Sequence, residues 1–188
     1  MVTENKCISA DEFLDIVRAP AYDDRLVELI NGEIVELPLH GAEHGVTVAN
    51  LAARIGKYIF DNDLGHAFLG GMGYVVEKSS TGCDTIRGLD FAYVSKGRAP
   101  ESWGDDWLET PPDLVVEVVE YCDSASYIQL KVMQILKSGT PQVWTISPEN
   151  KTLVVHCASC STTLEEFDTV TGGDILPGFT KLVADFFE

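Results

Sequence analysis

The sequence predicts a mixed α/β domain, and three observations carry that reading. Segments with helical apolar spacing alternate with short β-rich runs. Asn31-Gly32 between two apolar segments marks a hairpin near the N-terminus. The run Leu114-Val115-Val116-Glu117-Val118-Val119, entered from Pro111-Pro112, reads as a central strand buried on both faces.

Each element has its own signal. Ser9 stands three residues ahead of Glu12 as a capping box, so a short helix is expected over residues 9–17. Residues 25–30 and 33–37 flank Asn31-Gly32 as the hairpin arms. Val46, Leu51, Ile55 and Ile59, with Val48 and Ala52 beside them, approximate helical spacing over 42–60, and Gly65 is expected to close that helix. Strands follow at 66–69 and 74–78. The intervening Gly70-Gly71-Met72-Gly73 reads as a turn, because it lacks the Lys-Ser/Thr of a phosphate-binding loop.

A strand over 89–94 precedes an irregular connection over 96–110, whose Trp103 and Trp107 could cover the core or stack on bases. Residues 124–137 form a helix with an Ile128, Val132, Ile135 stripe, ended by Ser138-Gly139 and Pro141. Further strands are expected at 142–146, 153–156 and 163–167, and Pro177-Gly178 turns into a closing segment at 182–187.

At 188 residues and 45% hydrophobic, the chain fits one domain, 1–188, with a real core. No stretch approaches the roughly 18 apolar residues of a membrane span, and Met-Val-Thr-Glu-Asn-Lys lacks the apolar region of a signal peptide. Five cysteines, an odd number without framework spacing, agree with free thiols, so a cytoplasmic location is expected. Thirty acidic against thirteen basic residues give a net charge of −17, which counts against general affinity for phosphate backbones.

The residue hardest to explain by folding alone is Glu117. An ionised carboxylate inside a doubly buried strand costs roughly several kcal/mol unless a cation or donor compensates it. It is either one half of a structural salt bridge or a metal-binding carboxylate. Asp90, at the start of the preceding strand, is the second carboxylate that could converge on it, and two such groups make a hard-oxygen site for Mg2+ or Mn2+. Lys131, on the helix after Glu117's strand, could extend its ammonium toward them.

Taken together, Val27-Glu28-Leu29-Ile30-Asn31-Gly32-Glu33-Ile34-Val35, then His44, then Leu89-Asp90-Phe91-Ala92-Tyr93-Val94, then Pro112-Asp113-Leu114-Val115-Val116-Glu117-Val118-Val119, then Lys131 and Gly139-Thr140-Pro141-Gln142-Val143-Trp144 resemble the successive blocks of the Uma2 family, also called DUF820. Pro177-Gly178-Phe179 is similar to its closing block. The resemblance implies a restriction-endonuclease-like (PD-(D/E)XK) core, a central mixed β-sheet flanked by helices with an N-terminal β-hairpin. It also implies a metal-dependent endonuclease acting on DNA with Mg2+ or Mn2+, in which Asp90 and Glu117 are the metal-binding carboxylates. The lysine that ordinarily lies two residues beyond the glutamate is replaced by Val119, and the resemblance assigns its role to Lys131. Glu28 is a further candidate carboxylate, with an exposed strand residue as the plain alternative. Homodimerisation is implied in the same way.

Departures from the family pattern fall at Leu89, Glu120, Ile135 and Gln142. Asp113 is not the motif aspartate, because it lies only four residues before Glu117 on the same strand. The acidic surface would need an offset from the metal, from a partner subunit, or from a basic patch of Arg87, Lys96 and Arg98. Two rival functions are a non-catalytic interaction domain, in which Glu117 and Lys131 are only a buried pair, and a small-molecule or metal-binding protein using His156-Cys157-x-x-Cys160. The latter lacks the second ligand pair a zinc site needs, and strand-end cysteines are the plainer reading. His44 reads as a capping or packing residue, while His40 and His66 show no evident partner in the sequence.

Overall fold

The computed structural model describes residues 7–188; Met-Val-Thr-Glu-Asn-Lys, the basis of the signal-peptide reading, lies outside them. Helix α1 (Ala10–Val17) opens on the expected capping box, with Ser9 Oγ accepting from the Glu12 N–H and Glu12 reaching back to the Ser9 N–H. Strands β1 (Val27–Ile30) and β2 (Glu33–Glu36) form the hairpin. Asn31 and Gly32 both take positive φ, at 51° and 77°, as the right-handed twist of a two-residue hairpin requires.

The stretch expected as one helix is α2 (Ala42–Leu51), a π-helical turn (Ala52–Gly56) and α3 (Lys57–Asp61). Gly65 does not close it; Asn62 caps α3 and Gly65 starts the next strand. Its buried residues are His44, Thr47, Leu51, Ile55 and Ile59, whereas Val46 is exposed. The expected stripe therefore fails at its first turn, where polar side chains face inward.

Strand β3 (Gly65–Glu77) runs continuously through the glycine run that the sequence suggests is a turn. Its pairing with β4 (Thr85–Ser95) shifts between Leu69↔Phe91 and Met72↔Leu89, so Gly70 and Gly71 together oppose Asp90. This is a β-bulge rather than a reversal, and Gly71 at φ +89° supplies the left-handed backbone it needs. Asp90 thus lies mid-strand, not at a strand start. Strand β5 (Leu114–Val118) pairs antiparallel with β4 and parallel with β6 (Gln142–Ser147), the parallel pair being joined through α4 (Ala125–Lys137). Antiparallel β7 (Thr152–His156) and β8 (Ser161–Leu164) extend the sheet, and β9 (Thr169–Thr171) pairs with β10 (Thr180–Leu182) beside it. The closing segment is therefore β10 followed by a 3-10 turn, Val183–Phe186.

Helices cover both faces. Leu51, Ile55 and Ile59 pack with Phe91, Val116, Trp144 and the C-terminal Phe179 and Phe186 on one side. Val132 and Ile135 of α4 pack with Leu89, Ala92, Val115 and Val143 on the other. The two tryptophans of the long connection are covers: Trp107 stacks on Phe13 and donates to the Ala10 carbonyl, and Trp103 packs edge-on against His66 and Phe68.

One feature of the topology positions everything that follows. β3 occupies one edge of β4 along its length, so β1, at Leu29↔Ile86, and β5, at residues 91–93 of β4, share the other edge end to end. Residues 87–90 fall in the fork between them, and their polar backbone must find side-chain partners.

Candidate active site

Glu28 fills the fork from the hairpin side. Its Oε1 accepts from the Gly88 N–H at 2.9 Å, and its Oε2 accepts from Arg87 Nη1 at 2.6 Å and from the Tyr127 hydroxyl at 2.8 Å. Arg87, with no exposed side-chain surface, spends Nε and Nη2 on Gln134 Oε1 at 2.9 and 2.7 Å, and its guanidinium lies 5.2 Å from the Tyr127 ring centre. Tyr127, Lys131 and Gln134 fall at i, i+4 and i+7 of α4, a polar stripe one residue removed from the apolar Ile128, Val132, Ile135 stripe. Lys131 Nζ reaches Glu117 Oε2 at 2.5 Å and stands 3.7 Å from Glu28 Oε1.

Asp90 closes the fork from the β5 side. Its Oδ2 accepts from the Val118 N–H at 2.8 Å, and the β4–β5 register, continued one step past Phe91↔Val116, sets Asp90 opposite Glu117. His44 Nε2 lies 3.3 Å from Asp90 Oδ1. The His40 ring stacks on His44 at 3.9 Å between centres, and its Nδ1 meets Glu120 Oε2 at 2.9 Å. Glu120 Oε1 in turn accepts from the Gly41 N–H at the start of α2, while the Glu120 N–H donates to Asp123. Asp90, His44, His40, Glu120 and Asp123 line a cleft of about 520 Å3, together with apolar residues that include Val17, Leu26, Leu37 and Val48.

Known proteins resemble the chain in sequence and in fold. The Uma2 family, described as "Putative restriction endonuclease", matches residues 10–185. The chain belongs to the Uma2 family. The crystal structure of a protein titled as a putative nuclease belonging to DUF820 from Anabaena variabilis superimposes with a TM-score of 0.80 at 20% identity, covering 96% of this chain and 97% of that one. Both point to a restriction-endonuclease-like fold. No curated protein matches the chain.

The electrostatics of this Uma2 site follow from its unequal charges. Three carboxylates, Glu28, Asp90 and Glu117, face two permanent cations, Arg87 and Lys131. Burial pushes Glu117 up to about 8; Lys131 opposes this only in part, and the charges of Asp90 and Glu28 add to it. Burial pulls Lys131 down, but Glu117, Glu28 and Asp90 outweigh it and hold the ammonium above its usual range. Asp90 is desolvated too, yet His44, Lys131 and the Val118 N–H keep it below the usual carboxylate range. His44 loses hydration, and Asp90 more than compensates, so it is held above the ordinary imidazole value. Burial first and the Glu28 charge second push Tyr127 up, so its hydroxyl stays a donor.

Among the described residues, Glu117 Oε1 is buried without a hydrogen-bond partner. An orphaned carboxyl oxygen costs about 1–3 kcal/mol or more, and a divalent cation would satisfy that oxygen while displacing the proton Glu117 otherwise holds. The donor set of Asp90 and Glu117 therefore fits a hard metal ion.

The structure brings Asp90, Glu117, Lys131 and Glu28 to one cleft, and Glu28 is buried rather than an exposed strand residue. Tyr127, His40, His44 and Glu120 also line it, Arg87 and Gln134 back it by way of Glu28, and none of them was assigned there by the sequence. Tyr127, Lys131 and Gln134 did leave a signal in their helical spacing; Arg87 and Glu120 left none, because their partners are remote in sequence. Asp113 is structural: it accepts from the Ser95 N–H and pairs with Arg98.

Two expectations are corrected. Arg87, Lys96 and Arg98 form no basic patch, since they pair with Glu28, Asp63 and Asp113. The thiols are not all free: Cys7 is joined to Cys83 and Cys157 to Cys160, leaving Cys122 free and exposed, so the cysteines do not point to a reducing compartment. His156 bonds to Thr145 instead of joining a metal cluster with the cysteines. Among the described residues no helix is long and apolar enough to cross a membrane.

Proposed function

We propose that residues 1–188 form one restriction-endonuclease-like domain that hydrolyses phosphodiester bonds of DNA in the cytoplasm, with Mg2+ or Mn2+ held by Asp90 and Glu117. The observation that carries this reading is Glu117: a buried carboxylate, raised to about 8, with one oxygen on Lys131 and the other orphaned. When bound, the cation lowers the pKa of a coordinated water and polarises a phosphoryl oxygen. The chain's own groups do the rest. Asp90, fixed by the Val118 N–H and His44, presents its charge in a set direction. Lys131 is anchored between Glu117 and Glu28, where its ammonium offsets charge developing on a phosphate. Glu28, Arg87, Tyr127 and Gln134 hold Lys131's surroundings in place and are positioning residues.

Binding by phosphate contacts alone would be weak. Twelve of the thirteen Lys and Arg lie in the described residues, and nine of those twelve are ion-paired. The other three, Arg54, Lys137 and Lys181, do not line the cleft. A second copy of the chain is the natural way to add contacts, so a homodimer is part of the proposal.

The second reading, a nuclease-fold interaction domain without activity, is favoured by one observation: the Lys131–Glu117 pair satisfies each charge without metal. Nicking of supercoiled DNA with Mn2+ or Mg2+ separates the two. Wild type should nick, and Asp90→Ala and Glu117→Gln should each abolish nicking. Equal activity in all three would indicate a contaminating nuclease, and an inert wild type that does not bind Mn2+ would leave the interaction domain.

A further inference from the structure

We infer that His40, His44 and Asp90 form a second cation site, distinct from the Asp90–Glu117 pair and selective for a late first-row divalent metal such as Co2+, Ni2+ or Zn2+. One ligand atom from each of the three lies within 4.8 Å of the others. The 3.3 Å between His44 Nε2 and Asp90 Oδ1 matches the spacing of two ligands on one ion with bonds of about 2.0–2.2 Å. Two imidazoles and one carboxylate are a borderline donor set, which suits these ions better than Mg2+.

Three further observations point the same way. His40 Nδ1 meets Glu120 Oε2, and with the proton on Nδ1 its Nε2 keeps a lone pair; the ring stacks parallel on His44, so it turns to bring that lone pair onto the ion. Glu120 is itself held by the Gly41 and Asp123 contacts. His44 is 7% exposed, with Nε2 facing Asp90 and Nδ1 buried without a partner among the described residues. The His40 side chain is 41% exposed and gives the ion a way in. Asp90 would be common to the two sites, each of its oxygens already aimed toward a different flank.

Titration of the full chain with Co2+, followed by visible ligand-field absorption and by calorimetry, tests this without any nuclease assay. Wild type should bind with the absorption of nitrogen-ligated Co2+. His40→Ala should weaken that binding at least about tenfold, Glu120→Gln should weaken it by a similar or smaller factor, and Glu117→Gln should leave it in place. Circular dichroism melting of the metal-free variants checks folding, and His40, being largely exposed, is a mild substitution. Unchanged Co2+ binding in His40→Ala overturns the inference, as does loss in Glu117→Gln with retention in His40→Ala. Absence of DNA cleavage by wild type would count against the proposed function and leave the Co2+ result standing.

Discussion

Glu28 and Asp90 line the same cleft and both are carboxylates removed from bulk water, yet the fold treats them oppositely. Glu28 is 1% exposed and receives a guanidinium, a phenol and a backbone N–H. Asp90 keeps some solvent contact, and its side-chain partner is a histidine whose own neighbour, His40, is open to water. The inner group is saturated by permanent donors, and the outer one is matched to partners that can exchange a proton or an ion. Glu117 lies where the two meet, with one oxygen in each condition. A site built this way separates the task of holding geometry from that of taking up a ligand.

The comparison breaks most visibly at Arg87. Arg87→Met leaves Glu28 buried without its main cation, and loss of one partner of a buried pair costs about 3–5 kcal/mol. Urea denaturation should show a shift of that size. A loss under about 1 kcal/mol would mean that the inner group is not what holds the fork.

Glu117 gives the next largest effect, through pH. Its folded value of about 8 stands above the model-peptide 4.5, so between those values the native state holds a proton that the unfolded chain releases. Its contribution to stability is therefore fully present below about pH 4.5 and is lost as pH rises to about 8, with a total on the order of a few kcal/mol. Metal-free melting measured across that window should fall with pH in the wild type and fall less in Glu117→Gln. A Glu117→Gln profile as steep as wild type would assign the slope to other groups.

The smallest effect is expected for an ion pair outside the cleft. Lys57 and Asp61 form an exposed i,i+4 pair on α3, and Lys57→Ala should change stability by no more than about 0.5 kcal/mol. A larger change by the same urea measurement would undercut the contrast between buried and solvated charge on which the first two expectations stand.

How much of this was legible in the sequence follows the same division. A charge inside an apolar run exposes itself, so Glu117 and its strand could be read directly. Short-range chemistry was legible too: the capping box at Ser9 and the Asn31-Gly32 turn depend only on neighbours. The glycine run of β3 was misread because glycine marks a bulge as readily as a turn, and only the pairing with β4 decides between them. His44 was hidden in a helix whose first turn faces a polar cleft, where the apolar stripe that announces burial is interrupted. His40 and Glu120 are 80 residues apart, and nothing local foretells their contact.

The fork on β4 also sets a distance. Because β1 and β5 meet the same edge of this strand, it acts as a ruler: the interval between their contact points, Ile86 and Phe91, fixes how far Glu28 stands from Glu117. Inserting or deleting one residue there would turn the following side chains to the opposite face and carry Asp90 away from Glu117. The length of that interval is set by the chemistry it measures out.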